Sequence, residues 1–304
     1  MEQPLVSTTN TPIQAQKPAL LARSVALMKP ITWFGPMWAF LCGAVASGAT
    51  GWNIASILTI MLGIFLAGPI LCGVSQVIND YFDREVDALN EPNRLIPAGM
   101  VSLKQVIITI LILMPVGIAI ALYLGRGVSV LTGIGLLLAM GYSAPPLRAK
   151  RNGWAGNTLV AISYEGLAWM AGHLAFAELT GGSILVALLY SFGAHGIMSI
   201  NDYKSIVGDR IAGIRTIPVL YGPKKAAWLI VLTMNLAQLG VLTAFVVWGK
   251  WWIVGIIAVI MLLQVPIQKQ FIQKPTEMYL KFSAIGVSFF VWGMMVAAVG
   301  LRLI

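Results

Sequence analysis

The chain has 304 residues, of which 58% are hydrophobic and only 10% are charged, and its formal net charge is +9. A soluble globular domain carries about 25% charged residues, so this composition excludes that class. Apolar runs of about 20 residues, each long enough to cross a bilayer as helix, recur along the chain. They indicate an all-α, polytopic membrane protein that has no need of a nucleic acid partner to explain its positive charge.

In chain order, residues 1–18 are polar and predict a disordered tail, and residues 19–30 predict an interfacial helix. Residues 31–304 form one predicted membrane domain of about nine transmembrane helices. The predicted spans lie near 31–48, 54–78, 102–124, 127–144, 157–178, 182–200, 226–248, 251–268 and 282–301.

The basic residues predict the orientation of the chain. With nine spans, seventeen of the twenty Lys and Arg residues fall on the side of the N-terminal tail, and only Arg126, Lys250 and Arg302 fall on the other. Cytoplasmic loops carry the excess of Lys and Arg in membrane proteins. We therefore expect the N-terminus and the polar loops after even-numbered spans to be cytoplasmic, in a bacterial inner or photosynthetic membrane.

An acidic segment occurs twice. Residues 79–87 read NDYFDREVD and residues 201–209 read NDYKSIVGD, at an offset of 122 residues. Both copies follow even-numbered spans and so share a membrane face. This repeat predicts two parallel halves, roughly 31–150 and 151–304, around a central cavity. A chance likeness between two polar loops is the alternative.

The spacing of these residues suits a metal site. Asn79, Asp83 and Asp87 follow i, i+4, i+8 and would line one face of a helix, and Asn201, Ser205 and Asp209 repeat the pattern. Carboxylate and amide oxygens are the ligands of Mg²⁺, which commonly bridges a carboxylate to a phosphate. We expect about two Mg²⁺ ions, with candidate ligands Asn79, Asp80, Asp83, Asp87, Asn201, Asp202 and Asp209.

Basic residues on the same predicted face supply the other part of an anion site. Such cations neutralise phosphate oxygens, and Arg does so through two N–H groups. The candidate diphosphate-binding residues are Arg94, Arg148, Lys150, Lys204, Arg210 and Arg215. For the 148–151 cluster the alternative is plain topology, because positive-inside loops need Lys and Arg in any case.

Two other classes of protein fit parts of the sequence. An ion-coupled secondary transporter has repeated halves and membrane carboxylates, but its sites usually lie near the bilayer midplane, between broken helices. Here the acidic residues lie at span ends, on one face, beside basic residues. A pigment-binding scaffold would place histidines in the spans but would leave the acidic repeat unexplained.

The whole motif set resembles the UbiA-type intramembrane prenyltransferases, and within them the bacteriochlorophyll and chlorophyll synthases. The resemblance rests on the run NDYFDREVDALNEPNR at 79–94, on YSAPPL at 142–147, and on NDYK at 201–204 with GDR at 208–210. The runs KPITWF at 29–34, YEGLAW at 164–169 and FGAHGIM at 192–198 favour the bacteriochlorophyll branch.

The resemblance implies transfer of a geranylgeranyl or phytyl group from its diphosphate to the propionate of bacteriochlorophyllide or chlorophyllide. It implies that Asp83 and Asp87, with Asn79, hold one Mg²⁺ and that Asp202 and Asp209 help to hold another. Arg94 and Lys150 would contact the diphosphate, so Asp83, Asp87, Arg94 and Lys150 are the expected catalytic residues. Pigment-pathway proteins are possible partners, and quinone precursors are alternative acceptors.

Four residues are candidates for contact with the tetrapyrrole: Tyr164, Glu165, Trp169 and His195. Glu165 is the one acidic residue placed in mid-span, where an ionisable group is expected to face the protein interior. His195 and His173 lie in or near spans 6 and 5. Each is either an axial ligand of the pigment's magnesium or a core histidine bonded to a helix carbonyl.

Overall fold

The structure is a computed structural model that describes residues 18–51 and 53–303. The predicted tail lies outside the described residues except for its last position. Ten longer helices form the described part: α1 Leu20–Leu27, α2 Phe34–Ala46, α3 Ile54–Phe65 continued by Leu66–Cys72 and Gly73–Asn90, α4 Leu103–Leu124, α5 Arg126–Ser143, α6 Gly153–Ala161 continued by Ile162–Leu167 and Ala168–Leu174, α7 Gly181–Met198, α8 Pro223–Val247, α9 Trp251–Gln273 and α10 Pro275–Arg302. The prediction of an all-helical membrane protein is confirmed.

The number of spans differs from the prediction in a way that the sequence explains. Within the described residues, seven helices are long and apolar enough to cross a membrane, or eight if α1, Pro30–Thr32 and α2 count as one span bent by 62°. Helix α2 alone has 13 residues, a length of about 20 Å. Helix α6 has the position of the predicted fifth span but is less apolar, because it carries Asn157, Glu165 and His173.

Helices α3 and α6 each contain a π-helical segment, at Leu66–Cys72 and Ile162–Leu167. Pro69 lies inside the first of them. A proline removes a backbone donor and crowds the preceding turn, which a wider turn relieves. Both segments contribute residues, such as Leu71 and Tyr164, to the lining of the cavity described below.

The helices run alternately up and down, which brings alternate connections to the same end of the bundle. At one end, Arg302 bonds to Thr50, and Lys250 bonds to the carbonyl of Leu303. At the other end lie the acidic segments and the loops that follow α3, α5 and α7. The main core lies in the second half of the chain, where Phe245, Phe271, Phe282 and Phe290 are buried among the other apolar side chains.

The two acidic copies differ in backbone. The first is α-helical throughout Gly73–Asn90, as its spacing predicts. In the second, the α-helix ends at Met198, a 3-10 helix spans Ser199–Lys204, and a short helix follows at Ile206–Ile211. The expectation that Asn201, Ser205 and Asp209 line one continuous α-helix was therefore wrong. Ser205, Ile206, Val207 and Gly208 are weaker helix formers than Arg84, Glu85, Ala88 and Leu89 of the first copy.

Backbone contact fixes helix α2 against α6. A Cβ atom added at Gly43 would lie 1.8 Å from the carbonyl oxygen of Trp169, and one added at Gly172 would lie 2.0 Å from that of Phe40. No side chain fits at either position without moving a helix. Glycine at both positions therefore lets the two helices pack backbone to backbone.

We predict that Gly172→Ala lowers the stability of the protein by about 1–3 kcal/mol, because the added methyl group forces α2 and α6 apart. Thermal unfolding in detergent measures the effect. Gly133→Ala is the matched control, because a Cβ at that helical glycine would meet nothing within 4 Å. An equal unfolding temperature for Gly172→Ala and the wild type would contradict the close packing.

Candidate active site

The first acidic copy, at the end of α3, lies opposite the loop that follows α5. The Nζ atom of Lys150 lies 2.6 Å from Oδ1 of Asp83 and 2.9 Å from Oδ1 of Asn79. Arg148 donates from Nη2 to the same Asp83 oxygen at 3.2 Å and to the carbonyl of Phe82 at 3.1 Å. The structure thus brings together four of the predicted site residues.

The loop itself explains how two basic residues reach one carboxylate. Arg148 has a left-handed backbone with φ of 38°, and Ala149–Arg151 form a 3-10 turn. Burial lowers the pKa of Lys150, and Asp83 partly offsets that effect by raising it. Arg148 and Lys150 therefore make specific contacts with the acidic segment, which favours a role in the site over topology alone.

Arg94 joins two carboxylates of the first copy to Glu91, which follows it. Its Nη1 atom lies 3.0 Å from Oδ2 of Asp87 and 3.7 Å from Oδ1 of Asp80, and its Nε atom lies 2.5 Å from Oε2 of Glu91. Burial alone would lower the pKa of Arg94, but Glu91, Asp87 and Asp80 together raise it. The hydrogen bond from Arg94 lowers the pKa of Glu91. Arg94 is therefore permanently cationic.

Asp80 lies one residue round the helix from Asn79, and its role as a metal ligand stays a prediction. Its side chain is buried and lies 2.6 Å from Nζ of Lys29, and it does not line the cavity into which Asn79 projects. One residue along a helix turns a side chain by about 100°, which separates the two neighbours. The structure therefore pairs Asp80 with Lys29 and Arg94, which do not line the cavity either. Lys29 was not predicted as a site residue, although it begins the run KPITWF.

The second acidic copy faces the first. Asn201 and Asp202 line the same cavity as Asn79, and Oδ2 of Asp202 is buried without a hydrogen-bond partner in the described part of the chain. Asp209 accepts a hydrogen bond of 2.7 Å from Ser205. Burial raises the pKa of Asp209, the Ser205 bond lowers it, and the charge of Glu91 raises it further. The two copies therefore lie within electrostatic reach of each other.

The three remaining predicted cations are exposed. Lys204 lies near enough to both copies for its charge to lower the pKa of Glu91 and of Asp209. The side chains of Arg210 and Arg215 make no hydrogen bond or ion pair with any described residue. The backbone of Arg215 does take part: its N–H donates to the carbonyl of Arg151, and its carbonyl accepts from the N–H of Gly153.

A cavity of about 270 Å³ extends from this charged end into the bundle. Polar side chains line its mouth, among them Gln76, Asn79, Asn201 and Asp202, and apolar side chains line its body. The apolar lining includes Phe40, Leu66, Ala67, Leu71, Leu131, Leu136, Leu138, Ala139, Leu159, Val160, Leu167, Ala168 and Ala171. This combination suits a molecule with an anionic head and a long apolar tail.

The four predicted tetrapyrrole residues separate in the structure. Tyr164 lines the cavity, where its hydroxyl accepts hydrogen bonds of 3.1 Å from Gln76 and from the thiol of Cys72. Glu165 is buried but does not line the cavity, and its Oε1 atom faces the backbone of Gly35 on α2. Its carboxyl group makes no hydrogen bond or ion pair within the described residues.

Trp169 and His195 lie outside the cavity lining. Trp169 is fully buried in the main core and donates a 2.8 Å hydrogen bond to Ser183, whose hydroxyl also contacts His173. His195 stacks on Trp154 with ring centroids 5.3 Å apart, and its Nδ1 contacts Thr158. The structure therefore gives Trp169 a packing role. His173 meets the carbonyl of Glu178 at 3.0 Å, as expected of a core histidine.

The donor set fits hard divalent cations. Within the described residues no three acidic, histidine or cysteine side chains converge into a ready metal cluster. The carboxylates are instead neutralised by Lys29, Arg94, Arg148 and Lys150, and Asp202 keeps an unpaired buried oxygen. Such an oxygen needs a cation or a donor. The ligands available to Mg²⁺ are Asn79, Asp83, Asp87, Asn201, Asp202 and Asp209.

These features define an intramembrane transferase site, with a charged mouth for a leaving group and an apolar chamber for a hydrocarbon. The family model of the UbiA prenyltransferase family matches residues 29–299. The chain belongs to this family, and the transporter and scaffold alternatives are therefore wrong.

Relatives of known name are similar over nearly the whole chain. The bacteriochlorophyll synthase 34 kDa chain of Chloroflexus aurantiacus is 56% identical, covering 93% of this chain and 91% of its own. The 33 kDa chain of Cereibacter sphaeroides is 42% identical over 91% of both chains. The chloroplastic chlorophyll synthase of Avena sativa is 37% identical, covering 90% of this chain and 74% of its own.

Solved structures share the fold. A digeranylgeranylglyceryl phosphate synthase superposes with a TM-score of 0.70 at 21% identity, over 92% of this chain and 99% of its own. A UbiA homolog from Archaeoglobus fulgidus, bound to GPP and Mg²⁺, gives a TM-score of 0.68 at 19% identity, over 90% of this chain and 99% of its own. At these identities, both superpositions show a shared arrangement of helices.

Proposed function

We propose that the protein transfers a polyprenyl group, geranylgeranyl or phytyl, from its diphosphate to the propionate of bacteriochlorophyllide. The carbon–oxygen bond to the diphosphate breaks, an oxygen of the propionate forms the new ester bond, and diphosphate leaves. The observation that carries this proposal is a cavity with an apolar body and a polar mouth, where the lining residue Asn79 accepts a hydrogen bond from Lys150. The 56% identity to a bacteriochlorophyll synthase chain supports the choice of acceptor.

The chain's own residues divide the work at the mouth. Asn79, Asp83 and Asp87 would hold one Mg²⁺, and Asn201, Asp202 and Asp209 a second. The bound metal supplies positive charge that stabilises the departing diphosphate. Without it, Lys150 and Arg148 already occupy one oxygen of Asp83.

Cationic side chains complete the anion site. Lys150 has three N–H donors and uses two of them on Asp83 and Asn79, so one is free for a phosphate oxygen. The Nη2 atom of Arg94 makes no hydrogen bond to a described residue and keeps both of its N–H groups. Arg148 and Lys204 add charge around the same mouth, with Arg210 and Arg215 further out.

The acceptor needs little activation. Propionates ionise well below neutral pH, so the attacking carboxylate requires no strong protein base. Ionisation of a geranylgeranyl donor would give an allylic cation in an apolar chamber from which water is excluded. We propose that Tyr164 contacts the reacting groups, because it lines the cavity. Glu165 lies beyond the cavity wall and His195 lies on the outer face, so each would act on the macrocycle indirectly. Trp169 supports the helix packing.

The membrane context follows from the same geometry. The excess of Lys and Arg at the site end supports a cytoplasmic mouth, and the predicted cytoplasmic N-terminus would lie on the same side. The donor's hydrocarbon tail then lies within the bilayer thickness while its diphosphate remains at the surface. We place the protein in a bacterial inner or photosynthetic membrane, where enzymes of the pigment pathway are its expected partners.

The direct test is a membrane assay with geranylgeranyl diphosphate and either bacteriochlorophyllide or chlorophyllide, with and without Mg²⁺. We expect an esterified pigment only when Mg²⁺ is present, and faster reaction with bacteriochlorophyllide. Chromatography of the extracted pigment measures the product. A faster reaction with chlorophyllide would move the acceptor to the other branch, and no product with either pigment would refute the proposed acceptor.

Asp83→Asn is expected to lower turnover by about 10²- to 10³-fold, since it removes a metal-binding charge on which Lys150 and Arg148 also depend. The initial rate at saturating Mg²⁺ measures the loss, and thermal unfolding shows whether the variant is folded. Glu85→Gln is the control, because Glu85 is on the same helix but its side chain is 83% exposed. Normal activity in folded Asp83→Asn would refute the metal assignment.

Lys150→Met is expected to raise the KM for the prenyl diphosphate about 10-fold, because it removes a charge-assisted hydrogen bond at the mouth while keeping the volume of the side chain. Affinity for the tetrapyrrole, measured by pigment absorbance, is expected to stay unchanged. Lys224→Met is the control for charge at the same membrane face. A change confined to pigment affinity would move Lys150 to the acceptor part of the site.

A further inference from the structure

Asp80 is the one carboxylate of the first acidic copy that is buried, paired with two cations and absent from the cavity lining. Its side chain is 8% exposed, with Lys29 at 2.6 Å and Arg94 at 3.7 Å, both measured to Oδ1. Its neighbour Asn79 lines the cavity. Asp83 also pairs with two cations and is absent from the lining, but it lies four residues from Asn79 and so on the same face of the helix. Asp80 is turned by about 100° from that face, so it is poorly placed to share a metal with Asn79.

Lys29 reaches Asp80 from an unusual backbone. Its φ is 48°, and Lys29 and Arg148 are the two described residues other than glycine with positive φ. Both are basic, and both contact the first acidic copy. Strained backbone of this kind persists where the surrounding structure fixes it, and it concentrates at functional sites. The Lys29 carbonyl accepts from the backbone N–H and the hydroxyl of Thr32, which lines the cavity.

Asp80 also links the bend of the chain to Arg94. Lys29 lies between α1 and Pro30–Thr32, in the segment that bends by 62° into α2. Arg94 shares its Nη1 atom between Asp80 and Asp87. Asp80 therefore connects two cations that come from separate parts of the sequence. This single buried carboxylate contacts both, while Asp87 and Glu91 also hold Arg94.

Each of these cations keeps donors for a further anion. Lys29 carries three N–H groups and donates one to Asp80, and Arg94 keeps the two N–H groups of Nη2. An ion pair that used every donor would be complete in itself. Within the described residues these two are not, since they hold unused donors and both contact Asp80, the chain neighbour of the lining residue Asn79.

We propose that Asp80 is a positioning residue, which holds Lys29 and Arg94 for the diphosphate of the donor and does not ligate metal. The proposal rests on the proposed function and adds Lys29 to the diphosphate site. It assigns four of the polar residues of the first copy to two tasks. Asn79, Asp83 and Asp87 serve the metal, and Asp80 serves the cations.

The test separates metal binding from donor binding. The variants are Asp80→Asn, which keeps the shape of the side chain, and Lys29→Gly, which tolerates the left-handed backbone while removing the ammonium group. Glu85→Gln is the exposed acidic control on the same helix. Binding of Mn²⁺ without donor is measured by electron paramagnetic resonance. Binding of a thiolodiphosphate analogue of geranylgeranyl diphosphate, with Mg²⁺ present, is measured by thermophoresis.

We expect the Mn²⁺ affinity of both variants to be within about twofold of that of the wild type. Their affinity for the analogue is expected to be about 10–100-fold lower than that of the wild type, the range for loss of an orienting partner. The double variant is expected to bind the analogue less weakly than the product of the two single effects predicts, because the residues act as a unit. A matching loss of Mn²⁺ affinity in Asp80→Asn would make Asp80 a metal ligand and overturn the proposal.

Two other outcomes also decide it. Unchanged analogue affinity with a lowered unfolding temperature would reduce Asp80 and Lys29 to a structural ion pair and overturn the proposal. If Asp80→Asn fails to fold, Lys29→Gly alone decides, because it removes the cation without leaving an unpaired buried lysine. A wild-type protein that binds neither Mn²⁺ nor the analogue would refute the proposed function itself, a result distinct from failure of the variants.

Discussion

The structure depends on neutralising a dense group of carboxylates at the edge of a membrane. Five acidic residues lie between positions 80 and 91, at the end of a helix that is otherwise apolar. Like charges four residues apart destabilise a helix, and a low dielectric makes each unpaired charge more costly. The chain answers with cations from three separate segments: Lys29 before α2, Arg94 after α3, and Arg148 with Lys150 after α5. The positions of these loops follow from that requirement.

The same requirement accounts for what the site can bind. Within the described residues, the carboxylates of the first copy pair with cations, while one buried oxygen of Asp202 has no hydrogen-bond partner. Under the proposed function, a diphosphate bound with divalent metal would offer anionic oxygens to the cations and positive charge to the carboxylates. Such a ligand would complement both parts of the site and bind more tightly than either part alone.

The sequence predicted the first acidic copy well, because its ligands repeat every four residues and its helix formers are strong. It failed at the second copy, where a 3-10 helix over Ser199–Lys204 and a break at Ser205 precede the short helix Ile206–Ile211, so equal spacing no longer gives an equal arrangement. Lys29 was missed because it pairs with a residue 51 positions away, which periodicity does not reveal. Trp169 was predicted to contact the tetrapyrrole because it is close to Tyr164 in sequence. The π-helical segment Ile162–Leu167 keeps Tyr164 and Leu167 in the cavity lining, whereas Trp169 is buried in the core.

One connection between the halves consists of main chain alone. The N–H of Arg215 donates to the carbonyl of Arg151, and its carbonyl accepts from Gly153, so the loops after α5 and α7 form a short parallel pairing. Hydrogen bonds of this kind do not depend on the identity of the side chains at 151 and 215. The frame that holds Lys150 near Asp83 is therefore insensitive to substitution at those two positions. Side chains there can diversify, and alter which head groups approach the mouth, without disturbing the geometry beneath them.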